Sequence, residues 1–355
     1  MILNNKYSDY KIVWFPEKLS SLKSGEIKAP IYLRIKPTNR CNQSCYYCIY
    51  NKEFSNMKKG IVPGIDEISK DKMFEILDDV SSIGVKAITY TGGGEPLIHK
   101  DIVDILKKTL DVKIDLSILT NGELLKDERA EVLSQAKWIR ISTDYNTPEL
   151  FKLSRGGTER RFTNIIANIN RFSNIVATNK TNCDVGINYI ITKDNYKGIV
   201  EATKLYMDCG INNIRFSPVW TPDFYNYHKD IMEEVRELLN TAKEKFASES
   251  FFVYDSYNIN KTVKERCYDK CYFMQIVSVI GADCNVYNCH HKAYDKTGMI
   301  GSIKDQKFSD LWFSENIKKY FEEFKSSKLC NHQCANDKKN IFIHEIINSY
   351  GDNYV

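Results

Sequence analysis

Between residues 31 and 220 the apolar positions change period repeatedly. "IYLRIKP" (31–37) has strand composition, and "GIDEISKDKMFEILDDVSSIG" (64–84) carries apolar residues at helical spacing before "VKAITYTGGG" (85–94) returns to a strand pattern. The alternation continues through helix "DIVDILKKTL", strand "VKIDLSILTNG", helix "DERAEVLSQA" and strand "KWIRISTD". A helix near 161–176, strand "CDVGINYIIT", helix "GIVEATKLYMDCG" and strand "INNIRFSPVW" complete the series. Six strand-then-helix units imply a parallel sheet with crossover helices, hence an α/β fold of the partial (β/α)6, TIM-like barrel kind. Such barrels place their chemistry at the C-terminal ends of the strands. The polar motifs fall there: a cysteine loop after the first strand, "TGGGEP" after the second, "TNG" after the third and "STD" on the fourth.

This pattern divides the chain into an N-terminal extension (1–30), the barrel (31–220), a helical linker (221–265) and a cysteine-rich region (266–355). Apolar content of 43% suits a packed core in a chain of 355 residues. Fifty basic and 46 acidic residues give a net charge of +4, scattered along the chain, so no nucleic-acid footprint emerges. The start, "MILNNKYSDYKIVWFPEKLS", is polar and broken, and no apolar run approaches a membrane span. A cytoplasmic protein with no membrane partner is expected. In that compartment eleven cysteines point to metal or redox chemistry rather than disulfides.

The cysteines cluster. Cys41, Cys45 and Cys48 lie within eight residues, Cys183 and Cys209 stand apart, and Cys267, Cys271, Cys284, Cys289, Cys330 and Cys334 occupy the tail. Three thiolates at CxxxCxxC spacing hold three corners of a cubane iron–sulfur cluster and leave one iron open for another ligand, as catalytic zinc sites keep an open position. A zinc site borrowing a distant fourth cysteine is the competing reading, although zinc knuckles pair cysteines across a tight turn with a second pair downstream.

The motif, with Tyr47 just before its last cysteine and its place after the first strand, resembles the radical S-adenosylmethionine (SAM) superfamily over residues 31–217. The resemblance implies a [4Fe–4S] cluster on Cys41, Cys45 and Cys48 whose open iron is chelated by the amino and carboxylate groups of SAM. Reductive cleavage then gives methionine and a 5'-deoxyadenosyl radical that abstracts a hydrogen atom from substrate. It further implies that Gly93, Gly94 and Glu95 of "GGGEP" meet the SAM amino group, glycine permitting close backbone approach and a carboxylate suiting an ammonium. Ser142 and Asp144 fall where relatives bind the SAM carboxylate or ribose, a helix cap being the alternative. Arg155, and more remotely Asn188, are candidate partners of the same cofactor. An external one-electron donor such as flavodoxin or ferredoxin is implied.

The tail resembles the auxiliary-cluster domain of the SPASM and Twitch branch: a β-hairpin around "GAD", a helix near 307–325, then a cysteine pair. The shorter Twitch form fits, with Cys271, Cys289, Cys330 and Cys334 ligating a second [4Fe–4S] cluster. Cys284 stands where relatives commonly have glycine, and Cys267 lies one helical turn before Cys271, so either can replace a named ligand. A free Cys284 facing the barrel is a candidate hydrogen-atom donor of the kind radical epimerases use, and a buried small hydrophobe otherwise. His290, His291 and His332 beside these ligands are expected near the cluster or in solvent, and Cys209 in packing.

An auxiliary cluster with four protein ligands has no open iron, which favours one-electron exchange with substrate. Only about thirty residues precede the first strand, too few for a compact leader-binding domain. The expected substrate is therefore a small polar molecule, of aminosugar, nucleoside or sugar-nucleotide type, undergoing dehydrogenation or epimerisation. A peptide maturase or epimerase is the alternative, and a non-catalytic iron–sulfur or zinc scaffold or electron carrier the alternative of another class. "VWTPDFYNYHKD" (219–230) is expected at the barrel mouth, as substrate contact or hydrophobic lid.

Overall fold

The computed structural model describes residues 8–50, 66–257, 266–330 and 334–349. Seven strands run parallel in chain order: β1 (Tyr32–Ile35), β2 (Ala87–Tyr90), β3 (Asp115–Thr120), β4 (Trp138–Ser142), β5 (Asp184–Ile191), β6 (Asn213–Pro218) and β7 (Phe252–Asp255). On the other edge β8 (Val277–Ile280) pairs parallel to β1, and β9 (Asn285–Tyr287) and β10 (Met299–Ser302) continue antiparallel. The single sheet thus reads β10-β9-β8-β1 through β7.

Each strand alternates between two faces. Leu33, Ile35, Ile88, Ile139, Ile141, Ile187 and Ile214 are fully buried on the helix side. On β1 the intervening positions are Tyr32 and Arg34, with Lys36 just past its end, and they give the other face a polar lining. The helices bury stripes at matching spacing. In Lys70–Ser82 these are Met73, Ile76, Leu77 and Val80, started by the Ser69 side chain accepting from the Lys72 amide. In Pro148–Arg155 a Thr147 cap, proline in the first turn and left-handed Gly156 (φ 68°) set both ends.

Three sequence expectations change. The segment 221–265 is not a helical linker: helix Met232–Phe246 buries Val235, Leu239 and Ala242 and delivers the chain to β7, which pairs with β6. An apolar stripe on a connecting helix makes it a crossover, so it closes the sixth strand-then-helix unit and leads to a seventh parallel strand. The tail is fused to the barrel, because β8 extends the sheet and Phe308, Trp312 and Phe321 join the main core. Ser309 also donates to both carboxylate oxygens of Asp79 on the first barrel helix, by its hydroxyl (2.6 Å) and its amide (2.8 Å). The expected helix near 307–325 is broken into Phe308–Trp312 and Glu315–Glu323 by a new cap at Ser314. Among the described residues no helix is long and apolar enough to cross a membrane.

Candidate active site

The cysteine loop leaves the end of β1 and is held from two sides. Amides of Ser44 and Tyr46 donate to the carbonyls of Arg155 and Ser154, both 3.2 Å, so the loop leans on the C-terminal end of helix Pro148–Arg155. On the other side the Gly94 amide donates to Thr38 (3.1 Å) and the Glu95 amide to Arg40 (2.8 Å). This locking explains the glycines. A Cβ on Gly93 would lie 1.8 Å from Asn39 Oδ1, and one on Gly94 1.8 Å from the Arg40 carbonyl oxygen. The glycine run is therefore required by close approach to the cysteine loop.

Cys41, Cys45, Cys48, Gly93, Gly94, Glu95, Ser142 and Arg155 line one cavity of about 750 Å³ at the C-terminal ends of the strands. Burial pushes the Cys45 thiol up, with the Arg155 guanidinium opposing. Metal binding overcomes such a shift by taking the thiolate form.

Glu95 is 3% exposed and accepts from the Thr120 hydroxyl (2.7 Å) and from the amides of Asn121 (2.7 Å) and Leu97 (3.1 Å). Burial pushes its carboxyl up to about 7 despite these donors. Such an acid faces the cavity ready to be held ionised by a donor or cation bound there.

Asp144 occupies another place than expected. It is fully buried, does not line the cavity, and accepts on one oxygen from Arg155 Nε (3.1 Å) and Nη2 (2.9 Å) and on the other from the Tyr47 hydroxyl. It positions Arg155, whose guanidinium carbon also lies 5.7 Å from the centroid of the Tyr47 ring. Tyr47 acts through this network rather than as cavity wall. Asn188 sits directly across the β4–β5 register from Ser142, on the same face of the sheet, and outside the cavity lining.

Gln43 was missed by the sequence reading. Its Oε1 accepts from Arg155 Nη1 (3.2 Å), its buried Nε2 has no partner among the described residues, and it lines the cavity. An orphaned donor beside three thiols and an arginine is the cradle a carboxylate-bearing ligand fills. Its place between Cys41 and Cys45 was the only signal in the sequence.

The tail builds a second site. Cys271, Cys289, Cys330 and Cys334 line one enclosed cavity with Arg266, Asn288 and Lys292. Burial raises the Cys271 thiol, and the other three thiols raise it further. Among the described residues no His, Cys, Asp or Glu group has the geometry for a single metal ion. The four thiols share one cavity, as ligands of a single cluster would. Cys267 is exposed and lies outside this lining; half-buried His290 and His291 also lie outside it, and His332 is outside the described residues.

Cys284 lines neither cavity. It occupies the hairpin turn at φ 58°, a left-handed conformation that favours glycine, and its charged neighbours include Lys72, Asp283, Lys304 and Asp66. The structure does not bring this thiol to the barrel mouth as a hydrogen donor requires. In 219–230, His228 is fully buried between the Tyr257 hydroxyl (3.1 Å) and the Val219 carbonyl (3.0 Å), so this stretch is latched to the end of β6.

Comparison with known proteins agrees with this arrangement. Residues 35–193 match the Radical SAM superfamily model and residues 271–335 match SPASM, an iron–sulfur cluster-binding domain. The chain belongs to the radical SAM superfamily, in the branch with a SPASM-type C-terminal domain, and its cofactors are SAM, a [4Fe–4S] cluster and auxiliary iron–sulfur chemistry in the tail. Such a protein is an enzyme that acts on a substrate and draws on an electron donor.

The chain is 24% identical over 311 residues to a tungsten-containing aldehyde ferredoxin oxidoreductase cofactor-modifying protein of Pyrococcus furiosus, covering 80% of this chain and 81% of that one. It is 31% identical over 202 residues to a GTP 3',8-cyclase of Limosilactobacillus fermentum, covering 53% of this chain and about half of the cyclase, 54%. Among solved structures, Streptococcus suis SuiB bound to S-adenosylmethionine is similar in fold (TM-score 0.63, 17% identity, 90% of this chain and 75% of SuiB). So is native anSMEcpe with bound AdoMet (TM-score 0.58, 18% identity, 90% and 96%).

Proposed function

We propose that this protein generates a 5'-deoxyadenosyl radical from SAM and uses it to remove a hydrogen atom from a small polar molecule of aminosugar, nucleoside or sugar-nucleotide type, giving dehydrogenation or epimerisation. The observation that carries the reading is the cavity of about 750 Å³ walled by three thiols, the glycine edge, Glu95 and Arg155. Cavities of ~300–1,000 Å³ hold drug-sized ligands, so this one suits the cofactor with a compact partner. The names of the relatives, a nucleotide cyclase and a cofactor-modifying protein, support a small-molecule substrate over a peptide.

The cluster and SAM together supply a primary alkyl radical able to break unactivated C–H bonds. The chain's own residues bind and orient. Cys41, Cys45 and Cys48 hold three irons. Arg155, kept in place by Asp144 and Tyr47, and the free Nε2 of Gln43 offer charge-assisted and neutral donors to the SAM carboxylate. Glu95 and the backbone at Gly93 and Gly94 accept from its amino group, and Ser142, across from Asn188 in the β4–β5 register, contributes a polar contact.

Turnover of SAM to 5'-deoxyadenosine tests the substrate class. Nucleosides, aminosugars and sugar nucleotides should raise it above the rate without substrate, and deuterium placed on their carbinol carbon should appear in the 5'-deoxyadenosine. Stimulation by peptides alone would overturn the reading.

A further inference from the structure

Each cavity is lined by two cations, Arg40 and Arg155 in one and Arg266 and Lys292 in the other, but only the first also holds an acid. The SAM cavity has one carboxylate, Glu95, among its lining residues. The lining of the tail cavity holds Arg266 and Lys292 with no acidic side chain. Arg266 is offset by its ion pair with Asp337 (2.7 Å). Lys292, 7% exposed, donates to the Thr297 hydroxyl (2.9 Å) and lines the cavity with the four thiols.

Asn288 adds a second observation. It is 2% exposed, lines the same cavity, and its Oδ1 has no partner while its Nδ2 meets the Tyr320 hydroxyl at 2.8 Å. A buried acceptor without a donor is costly. With the amide turned over, Oδ1 accepts from the Tyr320 hydroxyl in place of the Thr297 carbonyl that this hydroxyl meets at 3.2 Å, and the Nδ2 hydrogens are left for the cavity.

We propose that Lys292 and Asn288 hold the reduction potential of the auxiliary cluster up. A cluster bound by four thiolates is an anion, and one more electron in a buried site is opposed unless a cation or N–H donors offset it. Both are on this cavity's wall. The inference rests on Cys271, Cys289, Cys330 and Cys334 as ligands, and the two are separable by experiment.

The test uses the chain with Cys41→Ala, Cys45→Ala and Cys48→Ala, reconstituted anaerobically so that only the tail site binds iron. Iron and sulfide are measured first, then the midpoint potential by EPR-monitored titration. Lys292→Met should retain the cluster and lower the potential by at least a tenfold change in the reduction equilibrium, 59 mV for one electron. Lys292→Arg should restore most of it, and Asn288→Leu should move it the same way by less. Iron present with an unmoved potential in Lys292→Met overturns the tuning role and leaves the ligand set standing. No iron in the parent triple variant overturns both. Loss of the cluster in both Lys292→Met and Lys292→Gln would make the residue a structural prop and overturn the proposal.

Discussion

Replacing Asp144 isolates what holds Arg155 at the cavity. The two side chains are 0% and 6% exposed and meet at 2.9 Å, with Gln43 the other hydrogen-bond acceptor of the guanidinium. Asp144→Asn leaves a buried cation without its counter-charge. Breaking a buried pair from one side costs about 3–5 kcal/mol, whereas an exposed pair of the same length contributes about 0–1 kcal/mol. Replacing both, Asp144→Leu with Arg155→Met, removes the charge problem and should cost less than either single change, so the cycle shows strong coupling. Denaturant unfolding of the cluster-free protein measures the three values. Arg155→Met and the double variant should also lose SAM affinity tenfold or more in the cluster-loaded protein, as expected for a charge-assisted hydrogen bond. A cost near 1 kcal/mol for Asp144→Asn, or unchanged SAM affinity without Arg155, would refute the reasoning.

Other outcomes follow from the same geometry. The Glu95 carboxyl sits at about 7 in the folded chain against 4.5 unperturbed, so it contributes roughly 3 kcal/mol of stability that is present below pH 4.5 and lost as pH rises through 7. Unfolding measured from pH 5 to 8 should show the wild type losing that much relative to Glu95→Gln; parallel profiles would remove the burial argument. Gly94→Ala should yield protein unable to assemble the SAM-binding cluster, since its Cβ would lie 1.8 Å from the Arg40 oxygen, and iron content reads this directly. Cys284→Ser should leave total iron unchanged, and loss of one cluster's worth of iron would show that this cysteine is a ligand.

The parallel strands and most helices were legible because period-two and helical patterns alternate cleanly from β1 to β6. β7 was not: "FFVYD" is short, and only its pairing with β6 makes it a strand. The three-cysteine loop was legible from spacing alone. The tail quartet came through resemblance, and the shared cavity supports it. Asp144 was read as touching cofactor because a polar residue at a strand end looks the same whether it meets a ligand or another side chain. Its partner, Arg155, lies eleven residues on, at the end of a separate helix. Gln43 was invisible for the converse reason, since its value lies in one unpartnered atom. The glycine run was legible as close approach, but what approaches is the cysteine loop as well as the cavity.

Anaerobic reconstitution with iron and sulfide, followed by dithionite reduction with SAM and detection of 5'-deoxyadenosine, decides whether this chain is a radical enzyme. The account predicts two clusters per chain and 5'-deoxyadenosine formation that disappears when Cys41, Cys45 and Cys48 are replaced while the tail cluster remains. Intact clusters without 5'-deoxyadenosine, or cleavage that survives loss of those three cysteines, would contradict it.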